Sequence, residues 1–436
     1  VTGSIDINVG ATLTMGAGSQ LKVCTNFVNN GSLVANANST ILMQSDSVAQ
    51  NQTMTGAMTG ANRLWNLTIN KPAANSVILN NDLDNGGNVV VNTAATGGSF
   101  NAAGRYHKVA GDLTVWYSAA PYGVYSAPTT LEFNGSINQN YFNRGSLNNV
   151  IMNKTGGQLT LGNSGATDWM LLGGTLTLTW GQISTGLNRV NVINSATTAV
   201  TVGNVNSFVA GTLKRNVLPA GGSYDFPVGS AVKGYQRLNF NLASPHTRTN
   251  ISVGFNNTSP AAYPNLGPEC VTALFDQPAL NHGLWNLTSV PAVGSTGAYT
   301  LTAYPTNYTN AQSGYTVMLK NGAAAWSLEG TCVAASPITA IQRTGMATIG
   351  LGVQIAIAQA LTPLPIELLS FDAYPKAKSI GLKWMTGSEV NNKGFEVMRS
   401  TDPPKFKSIG WVDGHGTTNS TQEYKFDDRD VIPTIT

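Results

Sequence analysis

The sequence is short of charge. Only 10% of its 436 residues are Asp, Glu, Lys or Arg, against roughly a quarter in ordinary soluble domains, and the net charge of +3 is small for the length. No Lys/Arg cluster forms a stripe able to track phosphates, so nucleic acid is not expected as a partner. No stretch of ten or more residues carries a helical period with capping residues, and none reads as a membrane span. The most apolar candidate, Ile349-Gly350-Leu351-Gly352-Val353-Gln354-Ile355-Ala356-Ile357, alternates with period two and is expected to be a strand, the last of its domain. An initiator Met and a basic-then-apolar leader are missing at Val1, as expected of a processed or excised piece.

Cysteine is scarce too. There are three, none in a CxxC pair; Cys270 and Cys332 fall in one segment and are expected to form a disulfide, with Cys24 outside it. The four histidines, His107, His246, His282 and His415, are scattered, which gives no grouping for a metal site or a Cys-based nucleophile and reads as solvated or core histidine. Carboxylates are few: residues 1 to 204 hold seven. A polysaccharide lyase or hydrolase needs paired carboxylates, or an acidic Ca2+ cluster beside a basic residue. The one close pair is Asp82 and Asp84. In the frame that starts at Asn80, Gly86 comes one place late for a Ca2+-binding loop and Val91 stands where the bidentate Glu belongs. A turn is the better reading, with a weak Ca2+ site as the alternative, and no catalytic residue or other cofactor is assigned.

What the chain does have is 42% hydrophobic residues, with Gly, Asn, Thr and Ser making up much of the rest, which excludes disorder. It also has a repeat. Thr40-Ile41-Leu42-Met43-Gln44 and Ser47-Val48-Ala49-Gln50-Asn51 are answered by Thr129-Thr130-Leu131-Glu132-Phe133 and Ser136-Ile137-Asn138-Gln139-Asn140. Leu67-Thr68-Ile69-Asn70-Lys71 is answered by Val150-Ile151-Met152-Asn153-Lys154, and Gly86 to Val91 by Gly173 to Leu178. Apolar pairs such as Leu13/Met15 and Leu21/Val23 alternate with polar residues, and Gly- or Asn-rich turns separate them. The expected fold is all-β: a β-helix-like repeat solenoid over residues 1–204, with copies near 40–92 and 129–179, followed by β-sandwich domains. A β-sandwich array gives similar local patterns in the first segment. Charge density marks the boundaries: residues 205–360 carry 7 Lys/Arg and 4 Asp/Glu, while residues 361–436 carry 9 and 10. Thr362-Pro363-Leu364-Pro365 makes an extended connector between them.

Between the repeat copies lies an aromatic insertion that includes Trp116, Tyr117, Tyr122 and Tyr125. These rings either contact sugars or a neighbouring protein, or cap the repeats and fill their own core.

Residues 205–360 contain Tyr224-Asp225-Phe226-Pro227-Val228-Gly229 and Leu284-Trp285-Asn286-Leu287, and resemble a module of large secreted proteins of Bacteroidota. Leu364-Pro365-Ile366-Glu367-Leu368-Leu369-Ser370-Phe371, Leu382-Lys383-Trp384-Met385-Thr386 and Gly394-Phe395-Glu396-Val397 resemble the fibronectin type III-like domain that precedes the sorting signal in cargo of the type IX secretion system. The resemblance implies export across the outer membrane and residence at the cell surface or in the medium; it implies no chemistry. Asp46-Ser47-Val48 resembles the Asp-Ser/Thr-apolar O-glycosylation acceptor of the same group, at Ser47.

The resemblance also shows a departure. In such domains a further strand pair comes after Tyr424-Lys425-Phe426-Asp427-Asp428, so the last domain is expected to be incomplete, with an uncovered core and an unpaired ladder. Either the chain continues past Thr436, or a strand from another subunit fills the gap, with Ser4-Ile5-Asp6-Ile7-Asn8-Val9 as donor. The functional expectation is an extracellular structural or adhesive protein, a filament or layer subunit in its most specific form. A carbohydrate-binding adhesin is the first alternative and a β-helix polysaccharide enzyme the second.

Overall fold

A computed structural model describes residues 3–44, 50–71, 75–93, 100–102, 104–116, 125–143, 145–162, 170–258, 268–269, 271–278, 283–291, 296–306, 315–333, 340–347, 349, 352–360, 366, 368–402, 405–418 and 420–430. Strands dominate, with two single-turn 3-10 segments at Gly60–Asn62 and Thr197–Ala199. The chain divides into one unit of Val1–Leu266 with Asp276–Gln359, and a second of Gly267–Phe275 with Ala360–Thr436.

The first unit begins as a β-solenoid of about seven turns. All of its ladders are parallel, and partner residues on successive turns lie 19 to 28 positions apart in sequence. One ladder stacks Gln20–Val23, Thr40–Gln44, Asn66–Lys71, Val89–Thr93, Leu113–Trp116 and Gln139–Asn143. Period-two alternation sends every second side chain inward. The column Ile41, Leu67, Val89, Leu113, Tyr141 is fully buried, as is Met43, Ile69, Val91, Val115 beside it. Each such side chain contributes about 1.5–3 kcal/mol by leaving water. His107 stands in a buried column of a different ladder, between Leu83 and Leu131. Burial pulls its imidazole down to about 3, so it is neutral, with Nε2 2.8 Å from Asn85 Oδ1.

The repeat blocks are successive rungs. Ile41, Leu67 and Val89 are neighbours in one ladder, and Leu131, Val150 and Leu176 are neighbours in another. Two details of the sequence matching are corrected. Ile41 corresponds to Leu131 rather than Thr130, one residue further on, because Ile41 and Leu131 are the ones that point inward. A one-residue slip puts every side chain on the wrong face. The counterpart of Gln139 is Gln52 rather than Gln50: both glutamines are buried and each donates Nε2 to the previous turn, Gln52 to Val23 O at 3.1 Å and Gln139 to Val109 O at 3.0 Å.

Corners are held by stacked amides. Asn66 Oδ1 accepts the Asn88 N–H (2.7 Å), Asn88 Oδ1 accepts the Asp112 N–H (2.8 Å), and Asp112 Oδ1 accepts the Asn140 N–H (2.7 Å). Side-chain carbonyls thus continue the backbone ladder where the chain turns, satisfying donors that the bend would leave unpaired. This explains the wealth of Asn in a chain poor in charge.

The composition shift at 204/205 coincides with a change of pairing but not with a break in the fold. Val209–Asn216 pairs in parallel with Leu176–Val192 on one side and antiparallel with Asn250–Asn256 on the other. The last rung is therefore also the first strand of an antiparallel sandwich. One sheet continues through Leu284–Val290, Val353–Ala360 and Tyr315–Asn321. The other contains Gly222–Phe226, Gly234–Leu242, Tyr299–Pro305, Ile341–Met346 and Thr331–Val333. Val353–Ala360 is the strand expected from the apolar run. Trp285, buried between the sheets, donates Nε1 to Gln236 O at 2.9 Å. Three fully buried arginines bind turns by their carbonyls: Arg215 to those of Ala196, Thr197 and Asp225, Arg248 to those of Thr296, Gly297 and Ala347, and Arg343 to those of Glu329 and Gly330.

The second unit is a small β-sandwich. Leu368–Lys376, Ser379–Thr386 and Gln422–Asp428 form one antiparallel sheet, and Glu389–Asp402 with Lys405–Thr418 forms a two-stranded second sheet. Trp384, Val397 and Tyr424 are its buried core, with Phe395, Val412 and Phe426 packed around them.

Candidate functional site

Two clefts stand out, one on each unit. The first lies at a corner of the solenoid, where Lys154 ends an inward-facing series with Val150 and Met152. Its ammonium donates to Gln139 Oε1 (2.5 Å), Ile137 O (2.8 Å) and Gly135 O (3.2 Å), so all three of its hydrogens have an acceptor. Burial pulls it down to about 8, and Asp112 opposes that shift. On the next turn Met152 pairs with Leu178, but Asn153 pairs with Trp180. Thr179 is the extra residue of a β-bulge, and the bulge re-aims the side chains after it. Trp180, which strict alternation places inside, points outward and is 52% exposed. Gly181 (φ +88°) makes the turn; a Cβ there would lie 2.7 Å from Lys154 Cβ. The resulting cleft of about 380 Å³ is lined by Trp180, Lys154 and the amide side chains of Asn138, Gln158, Gln182 and Asn206, among others. Alternation alone hid this residue. The signal was a Trp-Gly pair directly after Leu176-Thr177-Leu178-Thr179, where glycine permits the break.

The second cleft lies between the sheets of the small sandwich. It holds about 350 Å³ and is lined by Ile366, Leu368, Phe371, Trp384, Phe395 and Val397, among others. Phe371, Trp384 and Tyr424 are register partners across the three-stranded sheet. Trp384 and Tyr424 are covered by Phe395 at 5.3 and 4.8 Å between ring centroids, while Phe371, one strand further out, is 57% exposed. Among the described residues Glu389–Asp402 pairs only with Lys405–Thr418, so its other edge borders the cleft without a strand. Trp384 is buried, yet its Nε1 has no hydrogen-bond partner among the described residues. A buried donor without an acceptor costs about 1–3 kcal/mol.

At the opposite end of this sandwich the polar core is complete. Glu389 accepts from Thr386 Oγ1 (2.5 Å), Asn392 Nδ2 (2.9 Å), the His415 N–H (3.2 Å) and the Tyr424 hydroxyl, and His415 Nδ1 is 2.8 Å from that hydroxyl. Burial pushes Glu389 up, but these four donors outweigh it and hold the carboxyl below its usual range. Burial and the Glu389 charge push Tyr424 up to about 12. Every member is tied to another, which makes the group a structural network.

The other expected site residues are not gathered in either cleft. Trp116 is 52% exposed and tilts against Phe142 at 4.3 Å. Tyr117 and Tyr122 lie outside the described residues, as does the side chain of Tyr125. Asp82 Oδ1 accepts the Tyr106 N–H and Asp84 Oδ2 the Gly60 N–H, both at 2.9 Å; Asp84 lies in the strand Leu83–Asn85, paired with Lys108, rather than in the expected turn. Among the described residues no three of His, Cys, Asp and Glu are grouped to hold a metal ion. Glu132 accepts from the Tyr106 hydroxyl and from Asn153 Nδ2, and burial with this carboxylate pushes the Tyr106 phenol up. Cys332 is in a disulfide and Cys24 is not; Cys270 and Ser47 lie outside the described residues. Of Ser4 to Val9, the strand Ile5–Ile7 pairs with Phe27–Asn29 of its own solenoid and buries Ile7, while Val9 is 86% exposed. It is therefore the outermost described rung rather than a loose arm. No described helix is long and apolar enough to cross a membrane. No family model, curated protein or solved structure matches this chain.

Proposed function

We propose that this chain is an extracellular structural and adhesive protein whose copies join by strand complementation at the cleft of the small sandwich. The observation that carries the reading is that cleft: an apolar slot beside a strand edge without a partner, with the unpartnered Trp384 indole N–H in its wall. A β-strand supplies what the slot lacks, a backbone ladder for the edge, alternate apolar side chains for Phe371 and Val397, and carbonyl acceptors within reach of the wall. The occupant we name is Ser4 to Val9 of a second copy. Ile5, Ile7 and Val9 alternate as a one-faced strand requires, and among the described residues Ile5–Ile7 pairs on one side only. Releasing it gives up the burial of Ile7, on the order of 2 kcal/mol, and the one-sided ladder to Phe27–Asn29, which a fully paired and covered strand in the cleft replaces. The link is head to tail, so it propagates into a filament. The charge-poor solenoid suits a shaft, and the resemblance to secreted Bacteroidota cargo supports placing it outside the outer membrane.

The test is light scattering and negative-stain electron microscopy of the full chain over a concentration series, with the Phe371→Arg variant in parallel. Linear polymers of the parent chain and monomers of the variant are expected, with a Ser4-to-Val9 peptide lowering parent assembly. Discrete particles at every concentration refute self-association, and filaments that survive Phe371→Arg refute the cleft as the joint.

A further inference from the structure

We infer that the solenoid cleft beside Trp180 is a binding site for a neutral oligosaccharide. The inference does not rest on self-association, since it uses a different unit and different residues.

The shape of the cleft argues for a chain-like ligand. Asn138, Gln158, Gln182 and Asn206 belong to four consecutive turns, because Gln139 pairs with Leu159, Gln158 with Gln182, and Ile183 with Val209. With rungs about 4.8 Å apart, the lined length is about 14 Å, running along the solenoid axis. The chemistry argues for sugar. Trp180 presents a large rigid apolar face, suited to the C–H face of a pyranose ring. Asn138 Oδ1 accepts the Gln158 N–H at 3.0 Å and Gln158 Nε2 donates to Thr160 Oγ1 at 3.3 Å; an amide oxygen accepts twice and its nitrogen donates twice, so each of the four amides keeps capacity that complements hydroxyl groups. A few placed polar groups around an aromatic anchor are the ordinary composition of a small-ligand site.

The charge argues for a neutral glycan. Lys154 is the one ionisable residue in the lining, and its ammonium is matched by Gln139 Oε1, Ile137 O and Gly135 O. No donor of that cation is left for a carboxylate or sulfate. The β-bulge at Thr179 supports a built site as well. It turns a large aromatic residue out of the core into solvent, losing burial that Leu176 and Leu178 keep earlier on the same strand.

The experiment is isothermal titration calorimetry of the full chain with neutral hexasaccharides of the β-glucan, mannan and xylan types up to millimolar concentration, and with an oligogalacturonate. Binding of at least one neutral hexasaccharide is expected, and none of the uronate. Trp180→Ala is expected to weaken binding roughly tenfold or more and Gln182→Ala severalfold, while Trp116→Ala leaves it unchanged. Trp180 is a surface residue, so the variant keeps its fold, which circular dichroism confirms. The inference is overturned if no neutral glycan binds, if binding survives Trp180→Ala, or if the uronate binds better. Phe371→Arg leaves glycan binding intact and Trp180→Ala leaves filaments intact, so the two readings fail separately.

Discussion

Lys71 and Lys154 offer a sharp test of what holds the solenoid corners. They are equivalent, each lying two residues beyond a paired core position, Ile69 or Met152, and each is 1% exposed. Among the described residues they differ in what they bind: Lys154 Nζ has three acceptors at 2.5 to 3.2 Å, whereas Lys71 Nζ donates to Gln50 O at 3.2 Å. Substitution by Met keeps the aliphatic stem and removes the donors. A hydrogen bond from a charged group is worth about 1.5–3 kcal/mol net, but losses within one network are not additive and removing the charge recovers desolvation. We therefore expect Lys154→Met to cost about 3 kcal/mol and Lys71→Met about 1 kcal/mol. The assay is native-state hydrogen exchange of the amides around residues 135–161, because a solenoid opens turn by turn and a single global midpoint averages over it. Lys154→Met that is neutral, or milder than Lys71→Met, refutes the reasoning and means that the buried stem rather than the three acceptors holds the corner. The pH dependence gives a second check. Burial pulls Lys154 from 10.5 to about 8, so between those values the unfolded chain binds the proton and the folded chain does not. Stability then rises with pH across that window, and the rise is absent in Lys154→Met.

Two further outcomes rest on the same physics. Glu389 is held below its usual range, so its contribution to the small sandwich is present above about pH 4.5 and is lost as pH falls through the depressed value; Glu389→Gln is expected to flatten the acid limb of the unfolding curve, and an unchanged limb contradicts the network. In the amide ladder, Asn88→Ala removes the acceptor of the Asp112 N–H at about 1 kcal/mol. Asn88→Asp keeps an acceptor but sets a carboxylate one rung from Asp112, so thermal unfolding is expected to shift down at low salt and recover partly at high salt.

Much of this protein is determined by sequence alone. Apolar residues at every second position require strands with one buried face, and the recurrence of Leu67 with Val150 and of Val89 with Leu176 points to a repeated β unit, whose stacking into parallel turns the pairing decided. The poverty of charge and the wealth of Asn come from the same fold, since parallel turns need side-chain amides at their corners. The tertiary structure decided what depends on contact between turns. The register of Ile41 with Leu131, the match of Gln52 with Gln139 and the outward turn of Trp180 are all set by the neighbouring rung, because alternation fixes a side chain's face only relative to its own strand and loops of 19 to 28 residue spacing absorb insertions freely. The double use of Val209–Asn216 as last rung and first sandwich strand is likewise invisible locally, since parallel and antiparallel edges demand the same alternating pattern. The cleft of the small sandwich stands between these cases: its residues are legible as core from their spacing, and only the tertiary structure shows that, among the described residues, Glu389–Asp402 pairs on one side and Phe371 is exposed.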